Sequence, residues 1–232
     1  MSGGATKRAR TRAKHGGGRG APGQARVPRE VREREMVEVA AQVFGSRGYH
    51  AASMDEIASR AGITKPMLYS YFGSKEGLFL ACGKVAGERM RERVREAAHA
   101  REVPPDQRLW RGLLAVFGFI EEHREMWSIF NPPGGIPPGG KIGKRASEGR
   151  EAMGELLVEL LVEAAVAEGV SPEAAVETAP LAHALTATVV AMADWWLRHP
   201  DEPRELQALR VMNFAWIGFE HLLQGQMWLP PE

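Results

Sequence analysis

SMDEIASRAGITKPMLYSYFGSK, residues 53–75, holds two short helices and the start of a third. Ser53 lies three residues before Glu56, the capping-box spacing, in which a hydroxyl caps the helix start and a carboxylate reaches back to the cap residue. Ile57, Ala58 and Ala61 put apolar groups on one helix face, and Gly62 supplies a left-handed stop. Thr64 caps a second helix, which tolerates Pro66 because a first turn needs no intrahelical N–H. Leu68 and Phe72, four apart, face inward and leave Lys65, Met67, Tyr69 and Ser70 facing out. Gly73 ends this helix, and Ser74 caps a third with Lys75 in its first turn. Two short helices joined by a tight glycine turn, the second showing polar and aromatic groups, predict a helix-turn-helix.

Upstream, Val37, Ala40, Ala41 and Phe44 share a face and Gly48 ends a first helix, so residues 28–75 are expected to form a three-helix head. Residues 1–27 hold Gly, Arg, Lys, Ala and Ser with almost nothing apolar, which predicts a disordered basic arm, either inert or following phosphates. Downstream, residues 76–232 read as a larger helical body. Helices are expected at about 74–98, 106–122, 124–130, 142–168, 172–198 and 202–224, from apolar residues at helical spacing. Asn131 to Lys141, with four prolines and four glycines, breaks this pattern and is expected to be a mobile loop. With no convincing strand, the predicted fold class is all-α.

Charge is divided along the chain. Residues 1–75 carry 14 Lys and Arg against 6 Asp and Glu, a net +8, whereas residues 76–232 carry 16 against 23, a net −7. A basic front and an acidic back suit a polyanion bound at one end. The single cysteine, Cys82, excludes an internal disulfide, and no apolar signal segment follows the first charges, so a cytoplasmic protein is expected. The longest apolar run, Leu181 to Leu197, is broken by His183, Thr186, Thr188 and Asp194 and falls short of the roughly 20 residues of a membrane span.

Catalytic chemistry is poorly represented. Glu121, Glu122, His123 and Glu125 cluster without the paired histidines of a helical zinc site. No glycine loop precedes a Walker lysine, and Cys82 has no nearby histidine to activate it. No metal, cofactor or enzymatic activity is therefore expected. The helix starts at Ser53, Thr64 and Ser74 each offer backbone N–H groups to a phosphate. Lys65 suits guanine O6 or N7, and Pro66 and Met67 suit a thymine methyl. The body's many aromatics suit a core, and also an apolar pocket with a few polar groups.

Phe44, Arg47, Gly48 and Tyr49, followed by Ser53–Ala58, Ala61–Thr64, Leu68–Phe72 and Ser74–Leu78, closely resemble the TetR family of bacterial transcriptional regulators. The resemblance covers roughly residues 30–80, with one departure at Ala52, where the family often has threonine. It implies a homodimeric regulator, more a repressor than an activator, that binds a palindromic operator in double-stranded DNA and is released by a small-molecule effector. It implies that Tyr71 and Lys75 bind phosphates while Lys65, Pro66, Met67 and Tyr69 face bases or sugars. It also places the effector among helices 4 to 8, where Trp110, Phe117, Trp127, His183 and Trp195 are candidate contacts, and dimerisation on the last two helices. There Leu181, Leu185, Val189, Met192, Met212, Phe219 and Leu222 are the expected stripe. An α-helical enzyme with an incidental basic head and a non-specific DNA-coating protein are the two alternatives, separable by footprinting.

Overall fold

A computed structural model of the chain describes residue 1 and residues 28–99, 102–131, 140–167, 169–171 and 179–223, with side chains omitted at 125, 129 and 217–223. The expected basic arm and most of the proline-glycine loop lie outside the described residues. Nine helices and no strand occur among them: α1 (Arg29–Ala51), α2 (Met54–Arg60), α3 (Lys65–Phe72), α4 (Lys75–Ala98), α5 (Pro105–Glu122), α6 (Arg124–Phe130), α7 (Lys141–Ala167), α8 (Ala179–Leu197) and α9 (Arg204–Leu223). No helix among the described residues is long and apolar enough to cross a membrane.

The head is built by capping and close packing. Gly48 takes φ 73° and breaks α1 near its end, so the chain can turn toward α2. The Ser53 hydroxyl accepts from Asp55 N at 3.2 Å. The reciprocal half of the expected capping box does not form, because Glu56 pairs with Arg60 at 2.6 Å and lies 3.8 Å from Arg47. Opposite charges one turn away outcompete the backbone donor for that carboxylate. Gly62, at φ 65°, closes α2 with Gly62 N donating to Ser59 O and Ile63 N to Ala58 O, the paired bonds of a Schellman end. Thr64 and Ser74 accept from Met67 N and Gly77 N at 3.4 and 2.9 Å, capping α3 and α4. A Cβ at Gly77 would run into the Phe72 carbonyl oxygen, so only glycine lets α3 and α4 approach this closely.

Met36, Val37, Ala40, Val43 and Phe44 of α1 bury one face against Ile57, Leu68, Leu78 and Phe79. This core does not stop at Lys75. It takes in Phe79 and Cys82 of α4 and Met126 of α6, with Phe130 and Ile142 against it. The Cys82 thiol donates to Val37 O at 3.6 Å, and burial pushes its pKa up to about 12, so the side chain is a packing group.

Polar contacts between the body helices show their relative directions. Arg93 of α4 pairs with Glu122 of α5 at 2.7 Å, while Arg108 of α5 bonds Ala98 of α4, so α4 and α5 run antiparallel. Lys141 lies 3.5 Å from Glu76, and Glu159 3.9 Å from Arg95, so α7 runs parallel to α4. Leu113, Phe117, Ile120, Leu156, Leu160, Leu185, Val189 and Trp196 fill the second core. Trp196 is fully buried, packs edge-on to Phe117, and donates from Nε1 to Glu202 O at 2.7 Å, fastening the turn between α8 and α9. Glu202 also receives hydrogen bonds from Arg210 and, more weakly, Gln207, which hold its carboxyl below the usual range.

Candidate DNA-reading surface and ligand cavity

The outer face of α3 carries the residues expected to meet DNA. Lys65 and Pro66 are exposed at its start, and Tyr69 is 40% exposed. Met67 departs from the outward expectation: it is half-buried and packs against the head core. Lys65 Nζ pairs with Asp55 Oδ2 at 2.8 Å, and this hydrogen bond raises the lysine pKa. Its ammonium must leave Asp55 to reach a base. Tyr71 is also half-buried, with the Arg29 guanidinium 4.8 Å from its ring centre. Lys75 Nζ donates to His50 O at 3.0 Å and sits 5.0 Å above the Tyr49 ring, so it already satisfies a carbonyl at the end of α1. Ser53, Thr64 and Ser74 all have their hydroxyls engaged as caps, leaving backbone N–H groups as the donors available at those helix starts.

A partly open cavity of about 170 Å³ lies between α4, α5 and α7, bordered by α6, α8 and Trp216 of α9. Along α4 its wall runs through Gly83, Ala86, Gly87, Met90, Val94 and Ala98. These positions recur at helical spacing, and 15 residues at 1.5 Å each make the wall roughly 22 Å long. Small residues on α4 open the space and Leu109, Leu113, Val116, Met153, Leu157, Leu160 and Val189 make it apolar. At the head end His123, Trp127, Asn131, Arg145 and Arg150 converge. Arg150 Nη1 is 3.4 Å from Asn131 Oδ1, and the buried Trp127 Nε1 makes no hydrogen bond. At the other end stands Arg108. The guessed pocket residues scatter. Trp127 lines the cavity, but Phe117 is sealed in the core, and Trp110 is half-buried against that core away from the wall. Trp195 stacks on His199 at 3.9 Å, and His183 is exposed over Gly154.

Sequence reading missed the polar ends. Arg108 is four residues before Gly112 and eight before Val116, on the buried stripe of α5, and a charge on an apolar stripe was the available signal. The acidic cluster at 121–125 has ordinary work: Glu121 lies 3.4 Å from Arg204 and Glu122 pairs with Arg93. Among the described residues no metal-holding group occurs.

A helix-turn-helix head sharing its α4 with a hollow helical body defines a class, the helix-turn-helix transcriptional regulators. The comparisons specify it further. Residues 36–82 match the family model described as bacterial regulatory proteins, tetR family, and residues 105–218 match the tetracyclin repressor-like C-terminal domain. The chain belongs to the TetR family. It is 31% identical over 203 residues to the HTH-type transcriptional activator FasR of Mycolicibacterium smegmatis, covering 85% of this chain and 87% of that one. A TetR-like regulator from Rhodococcus sp. RHA1 is similar in structure, at 31% identity and a TM-score of 0.59 over 84% of this chain and 99% of that one. FadR of Bacillus subtilis, solved in complex with stearoyl-CoA, shares the fold at 16% identity and a TM-score of 0.59, over 84% and 99% of the two chains.

Proposed function

We propose that this regulator binds operator DNA as a homodimer and that its affinity is set by an effector with a long apolar chain held in the cavity. The observation that carries this reading is the route between the two cores. Phe130 lines the cavity and also stacks on Phe79 of the head core, ring centres 4.8 Å apart and nearly parallel. Gly83 makes room for Phe130, since a Cβ there would run into its ring. A chain filling the space beside Gly83 and Phe130 would shift α4 at its junction with the head. Two recognition helices reach successive major grooves only at about 34 Å separation, so a small tilt of α4 in each subunit changes DNA affinity. Linkage makes the effect reciprocal.

Lys65, Pro66, Met67 and Tyr69 would read bases or sugars, and Tyr71, Lys75 and the helix starts at Ser53 and Thr64 would hold phosphates. The head group of the effector would face Trp127, Asn131, Arg145 and Arg150. FadR's stearoyl-CoA is a ligand of the same general shape in the same fold. The sign of regulation follows from where the operator lies relative to a promoter, and the family includes both a named activator and a repressor-like body domain. The chain would act in the cytoplasm as a binding protein rather than an enzyme.

For the dimer, the outer faces of α8 and α9 replace the expected stripe. Leu185 and Val189 are buried within the subunit, because the small residues Ala182 and Ala193 bring that side of α8 onto α7 and α9. Phe219 and Leu222 lie outside the described side chains. Leu181 is 37% and Phe214 74% exposed, with Ala184, Ala187 and Ala191 exposed on α8. A fully presented phenylalanine beside a small-residue face suits burial against a second copy.

Footprinting on the DNA flanking its own gene, with and without palmitoyl-CoA, tests the reading. A short protected palindrome whose affinity changes with the acyl chain is expected. Uniform protection would favour DNA coating, and no protection would favour an enzyme. Phe214→Glu should give monomers by sedimentation.

A further inference from the structure

The end of the cavity farthest from the head is unlike the rest of its wall. Arg108 stands there, 5% exposed, among Leu109, Gly112, Leu161 and Ala164. Its position is set from behind: Nε donates to Ala98 O at 2.7 Å, meeting one of the open carbonyls at the end of α4. Nη2 lies 3.8 Å from Glu163 Oε2, beyond hydrogen-bond distance. This buried nitrogen makes no hydrogen bond. A guanidinium Nη carries two N–H groups, and leaving them buried without an acceptor is unfavourable. Arg108 closes the first turn of α5, where the helix dipole favours an acceptor and Asp106 opposes it.

We propose that Arg108 forms an oxygen-acceptor subsite at the far end of the cavity, and that the effector is a long-chain acid carrying an oxygen at its ω end. The inference rests on the cavity reading above and adds which chain end is recognised. A chain ending in methyl would fill the apolar channel and offer the Arg108 guanidinium no acceptor. One ending in hydroxyl or carboxyl supplies that acceptor. Sites built with a buried donor discriminate strongly against the analogue lacking its partner.

Three probes share a carboxylate head and a chain length and differ only at the far end: palmitic acid, with methyl; juniperic acid, with hydroxyl; and thapsic acid, with a second carboxyl. Each is titrated into the full chain by tryptophan quenching, since Trp127 and Trp216 line the cavity. Juniperic or thapsic acid is expected to bind roughly ten- to a hundredfold tighter than palmitic acid, the effect of one hydrogen bond to a buried charge. Arg108→Met, which keeps the apolar stem, should abolish that preference. Arg108→Lys should retain part of it and serves as the readout if the methionine variant does not fold. Palmitic acid bound as tightly as the other two in the native chain would overturn the subsite while leaving the cavity reading in place. Failure of all three to bind would overturn both.

Discussion

The head and the body are both helical and each has a closed core, but the body also leaves a channel beside its core. In the head, Ala40, Val43, Phe44, Ile57, Leu68, Leu78 and Phe79 are fully buried, and α2, α3 and α4 each begin at a residue whose hydroxyl caps them. In the body, glycine and alanine line one side of α4, a channel runs beside them, and Arg108 Nη2 and Trp127 Nε1 lie buried without hydrogen bonds. A reading surface has to keep one shape, so its core is closed. A ligand site, the role proposed for the body, has to keep unfilled volume and unmet donors until the ligand arrives, at a cost in packing and hydrogen-bond free energy.

Substitutions can break this contrast, the largest effect first. Phe44→Ala removes a ring that packs against Tyr49 and Phe79, and should cost about 3–5 kcal/mol by urea unfolding. A cost near that of a surface change would show that the head core is as loose as the body. Gly77→Ala drives a Cβ into the Phe72 carbonyl oxygen and should cost about 1–3 kcal/mol in spite of alanine's better helix propensity. Lys65→Ala frees Asp55 and leaves the fold intact. On DNA it should weaken binding roughly tenfold at one base pair per half-site, with random DNA little affected; equal loss on both would assign Lys65 to phosphate.

The body should behave in reverse. A Cβ at Gly112 meets nothing nearer than 3.9 Å, at Ala98 and Val94, so Gly112→Ala should stabilise the chain by about 0.5–1 kcal/mol. Because Gly112 lines the cavity, the same change should weaken binding of a long-chain effector. Stabilisation without that loss would mean the channel is not the ligand site. The smallest effect concerns His123 at the cavity wall. Burial lowers its pKa, as do Arg93 and Arg89, against the opposing pull of Glu122. A depressed folded pKa favours the neutral ring, so stability is full above the ordinary value of 6.5 and falls as pH drops below it. His123→Gln should flatten the stability–pH curve in that range, and an unchanged curve would remove His123 from the account.

The local rules of the head were legible in one dimension. Ser53, Thr64 and Ser74 announce helix starts and Gly62 and Gly73 announce stops, because capping and left-handed turns are settled within four or five residues of chain. The same is true of most helix boundaries in the body, where α5, α6 and α7 fall within a residue or two of their apolar periodicity. Periodicity also marked the inner residues of α8, but not what they faced. Leu185 and Val189 were apolar enough for an interface or a core, and only the packing of α7 against them chose the core. Glu56 was spaced for a capping box and turned instead to Arg60 and Arg47, an electrostatic competition that sequence spacing does not weigh.

What the sequence by itself determined is the set of helices, their caps and the two-motif head that places this chain in the TetR family. What only the tertiary structure decided is where volume is left empty and which polar atoms are left unmet. Those depend on which faces of α4, α5 and α7 meet, and on how far glycine and alanine hold them apart. Trp127 and Trp110 look alike in the sequence, yet one lines a cavity and the other covers a core. Arg108 is a charge on an apolar stripe in the sequence, and only α4 ending beside it and α7 closing over it show that it is buried. A cavity is a property of several surfaces at once, and no single helix encodes it.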